Sequence, residues 1–145
     1  MKIVWDMDGT IADLYGVENW LAYLRAFDPT PYLTAKPLVN MSRLAYWLNK
    51  LQTKGHKLVI VSWLSKESNP EYDKLVTDAK IKWLNQHLPS VKWDEIHIVA
   101  YGRDKWEIAK DGILFDDDMR NHKAWKNGNS YFPTDIFDVL QKMAA

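Results

Sequence analysis

The run Lys57-Leu58-Val59-Ile60-Val61 limits the possible folds more than any other stretch of this chain. Four consecutive apolar residues, three of them β-branched, leave no polar face, so a strand made from them must be covered on both sides. Such strands belong to parallel sheets with helices on each face. Lys54-Gly55-His56 just before the run is a helix stop, with Gly55 as the residue able to turn left-handed. The surrounding chain alternates accordingly. Residues 2–6, 96–100, 112–115 and about 130–132 read as further strands. Helical spacing of apolar residues marks about 17–27 (Val17, Trp20, Leu21, Leu24, Phe27), 42–53 and 72–87, then short helices near 121–126 and after Thr134. Asp28-Pro29-Thr30-Pro31 breaks the first of these helices, residues 32–40 read as irregular, and 102–110 as a loop with one helical turn. The expectation is a three-layer, Rossmann-like α/β domain with a mainly parallel five-stranded sheet and helices on both faces.

Open α/β sheets bind ligands outside the carboxyl ends of their strands. Here the first strand ends in Asp6-Met7-Asp8-Gly9-Thr10, the second in Ser62 and the fourth in Asp116-Asp117-Asp118. These residues therefore fall along one edge. In an extended chain Asp6 and Asp8 project from the same side, and two adjacent carboxylates repel unless a proton or cation lies between them. An oxygen-only donor set suits Mg²⁺. Gly9 lets the chain leave the strand sharply, and Thr10 offers a hydroxyl and an N–H at the turn.

Composition narrows the function. At 145 residues the chain is long enough for one domain that buries roughly two-thirds of its unfolded surface. Nineteen basic residues balance nineteen acidic ones, so there is no strong nucleic-acid-binding or membrane-surface signal. The absence of cysteine excludes disulfides, zinc–thiolate sites and thiol nucleophiles. With no signal-like leader ahead of the first strand and no apolar run of membrane-spanning length, a cytoplasmic protein is expected. His56, His87, His97 and His122 are scattered without metal-site spacing and read as surface or satisfied histidines.

Together, Asp6-Met7-Asp8-Gly9-Thr10, Val59-Ile60-Val61-Ser62 and Phe115-Asp116-Asp117 resemble the signatures of the haloacid-dehalogenase-like phosphohydrolases, in order and over essentially the whole chain. The second half is similar to the 5′(3′)-deoxyribonucleotidases, through Lys80-Ile81-Lys82-Trp83-Leu84-Asn85-Gln86-His87-Leu88, Arg103-Asp104-Lys105 and Ile113-Leu114-Phe115-Asp116-Asp117. The chain departs from them between strands one and two. Some fifty residues separate Thr10 from Ser62, which leaves room for only a reduced cap at about 14–40. Tyr15, Trp20, Tyr23, Phe27 and Tyr32 in that insert either stack on a base or pack the insert onto the domain.

The resemblance implies a Mg²⁺-dependent phosphate-monoester hydrolase, with Asp6 as nucleophile and Asp8 as acid–base. The metal would be held by Asp6, the main-chain carbonyl of Asp8 and Asp116, with Asp117 supporting these ligands indirectly or serving as an alternative ligand. Thr10, Ser62 and Trp63 would contact phosphate, with Arg103 as a further contact. Lys80 takes the place of the signature lysine in this comparison, and Lys105, nearer the acidic pair, is its rival. The substrate expected is a small phosphoester, in the first instance a (deoxy)nucleoside monophosphate, otherwise another small ester or a nucleic-acid end. A receiver-type phosphoacceptor fits poorly, because the third strand ends in Ala100-Tyr101-Gly102 where a receiver needs its aspartate. A catalytically silent binding module is the remaining alternative.

Overall fold

The structure, a computed structural model, describes residues 1–126 and 129–145. Five parallel strands form its sheet: β1 (Lys2–Trp5), β4 (Lys57–Trp63), β5 (Glu95–Val99), β6 (Ile113–Phe115) and β7 (Ser130–Tyr131), in spatial order β5-β4-β1-β6-β7. A two-stranded antiparallel ribbon, β2 (Ala12–Asp13) with β3 (Lys36–Pro37), stands apart. The expected α/β architecture is present. The sheet is wholly parallel, and Ser62 lies inside the ladder opposite Ile98, one residue short of the end of β4.

Period-two alternation explains why the strands read as continuous apolar runs. Ile3, Trp5, Leu58, Ile60, Ile113 and Phe115 enter one core. That core is shared with Leu44, Leu48 and Leu51 of α3 (Met41–Thr53), with Trp83 and Leu84 of α4 (Pro70–His87), and with Ile136 and Leu140 of α7 (Ile136–Ala144). Their neighbours Val4, Val59, Val61 and Leu114 enter a second core with Ala109 of α5 (Lys105–Ala109) and Trp125, which follows α6 (Met119–Ala124). Each of these strand residues is thus buried against one helical layer or the other. Short polar caps start the helices. Asn40 accepts from the Arg43 N–H, Asn69 from Tyr72, Asp104 from Trp106 and Asp118 from Arg120.

The insert differs from expectation in two ways. In place of a helix over 17–27 there is a 3₁₀ turn at Leu14–Gly16 and then α1, only Trp20–Arg25. Asn19 (φ 60°) and Phe27 (φ 55°) both sit in the left-handed region, one on each side of α1, so the helix cannot continue past either. None of its six residues is fully buried, and of its apolar side chains Leu24 packs at the edge of a core. The segment read as irregular begins with a second short helix, α2 (Thr30–Thr34). Pro29 is the N-cap of this helix and Pro31 lies in its first turn, where a missing N–H is no loss. Asp28 Oδ1 accepts from the Thr30 N–H (2.9 Å) and its hydroxyl (2.6 Å). A small third core anchors the insert on α4, joining Leu14 and Tyr32 to Tyr72, Val76 and Ala79.

Candidate functional site

The β1 ladder ends where the candidate site begins. The Asp6 N–H still bonds to the Phe115 carbonyl of β6 (3.0 Å), but the N–H groups of Thr10, Ile11 and Ala12 then all converge on the Met7 carbonyl (3.1, 3.0 and 3.0 Å). This tight wrap takes Asp8 out of the strand and onto a turn, yet its carboxylate still lines the same cavity as that of Asp6. Gly9 sits at φ 82°, and a Cβ there would collide with the Asp117 carboxylate. A side chain at this position is excluded by the approach of the acidic pair as well as by backbone strain.

Asp6 is reached from both sides. Its Oδ1 accepts from Lys105 Nζ (2.8 Å) and its Oδ2 from the Thr10 hydroxyl (2.8 Å). Lys105 also donates to Asp116 Oδ2 (2.8 Å), an oxygen that the buried Asn121 amide supports as well (2.9 Å). The other oxygen, Asp116 Oδ1, accepts from the Asp118 N–H (2.8 Å). Carboxylate oxygens of Asp6, Asp116 and Asp117 lie within 4.8 Å of one another. Asp8 turns elsewhere: its Oδ2 accepts from Lys80 Nζ (2.9 Å), which also donates to Ser62 Oγ (2.6 Å) and the Trp63 carbonyl (2.6 Å). The two lysines come from opposite faces of the sheet, Lys105 from α5 and Lys80 from α4.

Four carboxylates (Asp6, Asp8, Asp116, Asp117) thus share two buried ammonium groups, a formal excess of two negative charges. The protonation equilibria register the excess. Burial and the neighbouring Asp6 charge raise Asp116 to about 6. Burial and Asp6 raise Asp117 to about 8. Burial also raises Asp8, against the opposing pull of Lys80. Three carboxylates gathered with surplus negative charge make an oxygen-only donor set that fits a hard divalent cation such as Mg²⁺.

Above these acids opens a cavity of about 320 Å³. Its floor is Asp6, Asp8, Asp116 and Asp117. One wall comes from the insert, with Tyr15, Trp20, Leu21, Leu24 and Tyr32, and the rim includes Trp63 and Tyr101. Of the insert's five aromatics, Tyr15, Trp20 and Tyr32 face this space, while Phe27 packs edge-on against Tyr72 (5.5 Å between ring centres). The phosphate-contact candidates sort into layers. Trp63 lines the cavity; Thr10, Ser62, Lys80 and Lys105 are buried beneath it, bonded to the acids or to one another. Arg103 lies on the exposed turn before α5, where its carbonyl accepts from the Trp63 indole (2.8 Å).

Sequence reasoning left some supports without a role. Asp118 caps α6 and pairs with Arg120, whose hydrogen bonds hold its carboxyl below the usual range. His122 bonds through Nε2 to the Asp116 carbonyl (2.7 Å) and through Nδ1 to Ser130 Oγ (2.8 Å), so it is a satisfied histidine that steadies the acidic turn. Their position just after the acidic cluster was the available signal. It named the neighbourhood, not the contact.

No protein-family model matches the chain, and no curated protein matches it in sequence. Solved structures do match. The D,D-heptose 1,7-bisphosphate phosphatase of B. bronchiseptica, complexed with magnesium and phosphate, aligns with a TM-score of 0.55 at 15% identity, over 91% of this chain and 79% of that one. The D,D-heptose 1,7-bisphosphate phosphatase of Burkholderia thailandensis aligns with a TM-score of 0.50 at 14% identity, over 85% and 70%. At such identities the likeness is one of fold. Among the described residues no helix is long and apolar enough to cross a membrane.

Proposed function

We propose that this chain is a haloacid-dehalogenase-like, Mg²⁺-dependent phosphohydrolase that cleaves phosphate monoesters through an aspartyl-phosphate on Asp6. The observation that carries the reading is the meeting of Asp6, Asp116 and Asp117 within 4.8 Å at the carboxyl end of a parallel sheet. Mg²⁺ would be held by Asp6, the Asp8 main-chain carbonyl and Asp116, with Asp117 supporting these ligands indirectly or serving as an alternative ligand. Bound there, it supplies positive charge against the phosphoryl oxygens, which is most of what phosphoryl transfer requires.

The remaining work falls to side chains. An Asp6 carboxylate oxygen attacks phosphorus as the bond to the leaving oxygen breaks, and Asp8 gives that oxygen its proton. Water then attacks the phosphorus of the aspartyl-phosphate. Asp8 takes a proton from the water, the bond to Asp6 breaks, and the products are an alcohol and inorganic phosphate. Lys105 and Thr10 hold the two Asp6 oxygens and so set the direction of attack. In this reading Lys105, bridging Asp6 and Asp116, takes the signature position that the sequence comparison assigned first to Lys80. Charge beneath the floor helps a dianion without touching it, because Coulomb attraction is strong in a buried, weakly screened site.

The substrate class proposed is the nucleoside monophosphates. Tyr15 and Trp20 place aromatic side chains beside the acids in a reduced cap formed by residues 14–40. A stacked base on such a face is worth about 1–3 kcal/mol, enough to favour it over a polyhydroxylated sugar. The test is phosphate release, with Mg²⁺ or with EDTA, from nucleoside monophosphates, sugar phosphates and phosphorylated nucleic-acid ends. Mg²⁺-dependent release that is fastest from nucleotides supports the reading. Fastest release from a sugar phosphate would move the substrate assignment, and none from any ester would end the enzyme assignment.

A further inference from the structure

Lys80 is the second buried cation of the site, and its hydrogen bonds set it apart from Lys105. It is 1% exposed, and its ammonium donates to three acceptors: Asp8 Oδ2 at 2.9 Å, Ser62 Oγ at 2.6 Å and the Trp63 carbonyl at 2.6 Å. An ammonium has three protons, so all are placed and none is left for a substrate oxygen. Tyr32 of the insert covers the same group, with Nζ 5.1 Å from its ring centre. Tyr32 is in turn tied to Ser65 through a 2.6 Å bond between hydroxyls.

We infer that Lys80 is a positioning residue for Asp8, acting on the reaction through that carboxyl group and not by binding phosphate. The inference rests on the phosphohydrolase reading, because it matters only if Asp8 handles the leaving oxygen's proton. Ser62 and the Trp63 carbonyl are the anchors. Both belong to β4, a strand laddered to β1 on one side and to β5 on the other. Asp8 is on the turn after β1, where the regular ladder no longer holds it. Lys80 therefore ties a side chain on a turn to a central strand. With Oδ2 fixed, the carboxyl plane is set and Oδ1 is the oxygen left to carry the transferred proton. Proton transfer is effective only within hydrogen-bond reach, so a free carboxyl would lose rate without losing substrate.

The test is the leaving-group dependence of Lys80→Met. p-Nitrophenolate departs without a proton, whereas the alkoxide of glycerol 2-phosphate needs one. The expected result is a fall in kcat/KM at least tenfold larger for glycerol 2-phosphate than for p-nitrophenyl phosphate, with inhibition by inorganic phosphate changed less than threefold. An equal fall for both esters would overturn the inference, leaving a structural role. A tenfold weakening of phosphate inhibition with unchanged leaving-group dependence would overturn it too, making Lys80 a phosphate ligand. Removing Lys80 alone strands a buried carboxylate and can unfold the chain. The double variant Asp8→Asn/Lys80→Met removes both charges. Its kcat/KM is expected within twofold of Asp8→Asn alone, and a further loss would show that Lys80 acts elsewhere. A wild-type chain inert toward both esters would overturn the phosphohydrolase reading itself, and the inference with it.

Discussion

The floor of the cavity and its insert wall are built to different standards. The floor acids Asp6 and Asp116 directly follow β1 and β6, adjacent central strands whose apolar side chains are buried, and each is held by two or more hydrogen bonds. The wall is made of two short helices and a two-pair ribbon, anchored through Leu14 and Tyr32, and α1 buries none of its residues. Rigid placement of reacting groups is worth far more to a rate than rigid placement of a binding face. Under the proposed function, chemistry falls to the floor and recognition to the wall.

The comparison breaks if substitutions on the two sides act alike. Asp6→Asn is expected to have the largest effect, lowering p-nitrophenyl phosphate turnover by about 10³-fold or more with unchanged circular dichroism. Retained turnover would mean that another residue is the nucleophile. Asp116→Asn comes next. The Mg²⁺ concentration for half-maximal rate should rise at least about tenfold, roughly 1.4 kcal/mol of lost affinity. An unaltered requirement would move the direct contact to Asp117.

Metal and pH sharpen the floor's side of the comparison through stability. Asp116 at about 6 and Asp117 at about 8 hold protons in the metal-free fold that the unfolded chain has released by about pH 4. The folded state therefore binds more protons between about pH 4 and 8, and metal-free stability should fall as pH rises through that window. Mg²⁺ competes with those protons. At ten times its dissociation constant it adds about 1.4 kcal/mol, a rise in Tm of about 5 °C, and the rise should be larger at pH 8 than at pH 5.5. Thermal melts with Mg²⁺ and with EDTA at the two pH values read this directly, and an equal shift at both would argue against the acids as its ligands.

The smallest effect belongs to the wall. Trp20→Ala should raise KM for a nucleotide several-fold, about 1 kcal/mol, and leave kcat and Tm nearly unchanged, since Trp20 is part of no core. A collapse of kcat would show that the insert organises the acids as well as covering them.

Legibility followed the same division. The strands β1, β4 and β6 were readable because a segment buried on both faces must be apolar throughout, a condition satisfied locally. The acids at their ends followed from the edge rule for parallel sheets. The insert resisted, since the spacing of Val17, Trp20, Leu21, Leu24 and Phe27 is helical, yet Asn19 and Phe27 adopt left-handed backbone that no spacing reveals. Asp6 and Asp8 were grouped by assuming an extended chain. The wrap around the Met7 carbonyl puts Asp8 on a turn instead, and both carboxylates still floor one cavity.

By itself, then, the order of residues determined the sheet, its helical layers and the edge on which the carboxylates gather, because burial and chain direction act over a few residues at a time. The assignment of the two lysines was decided only in three dimensions. A lysine's partner depends on which face of the sheet its helix covers, and that follows from the packing of α4 and α5 against opposite cores, contacts between residues distant in the chain.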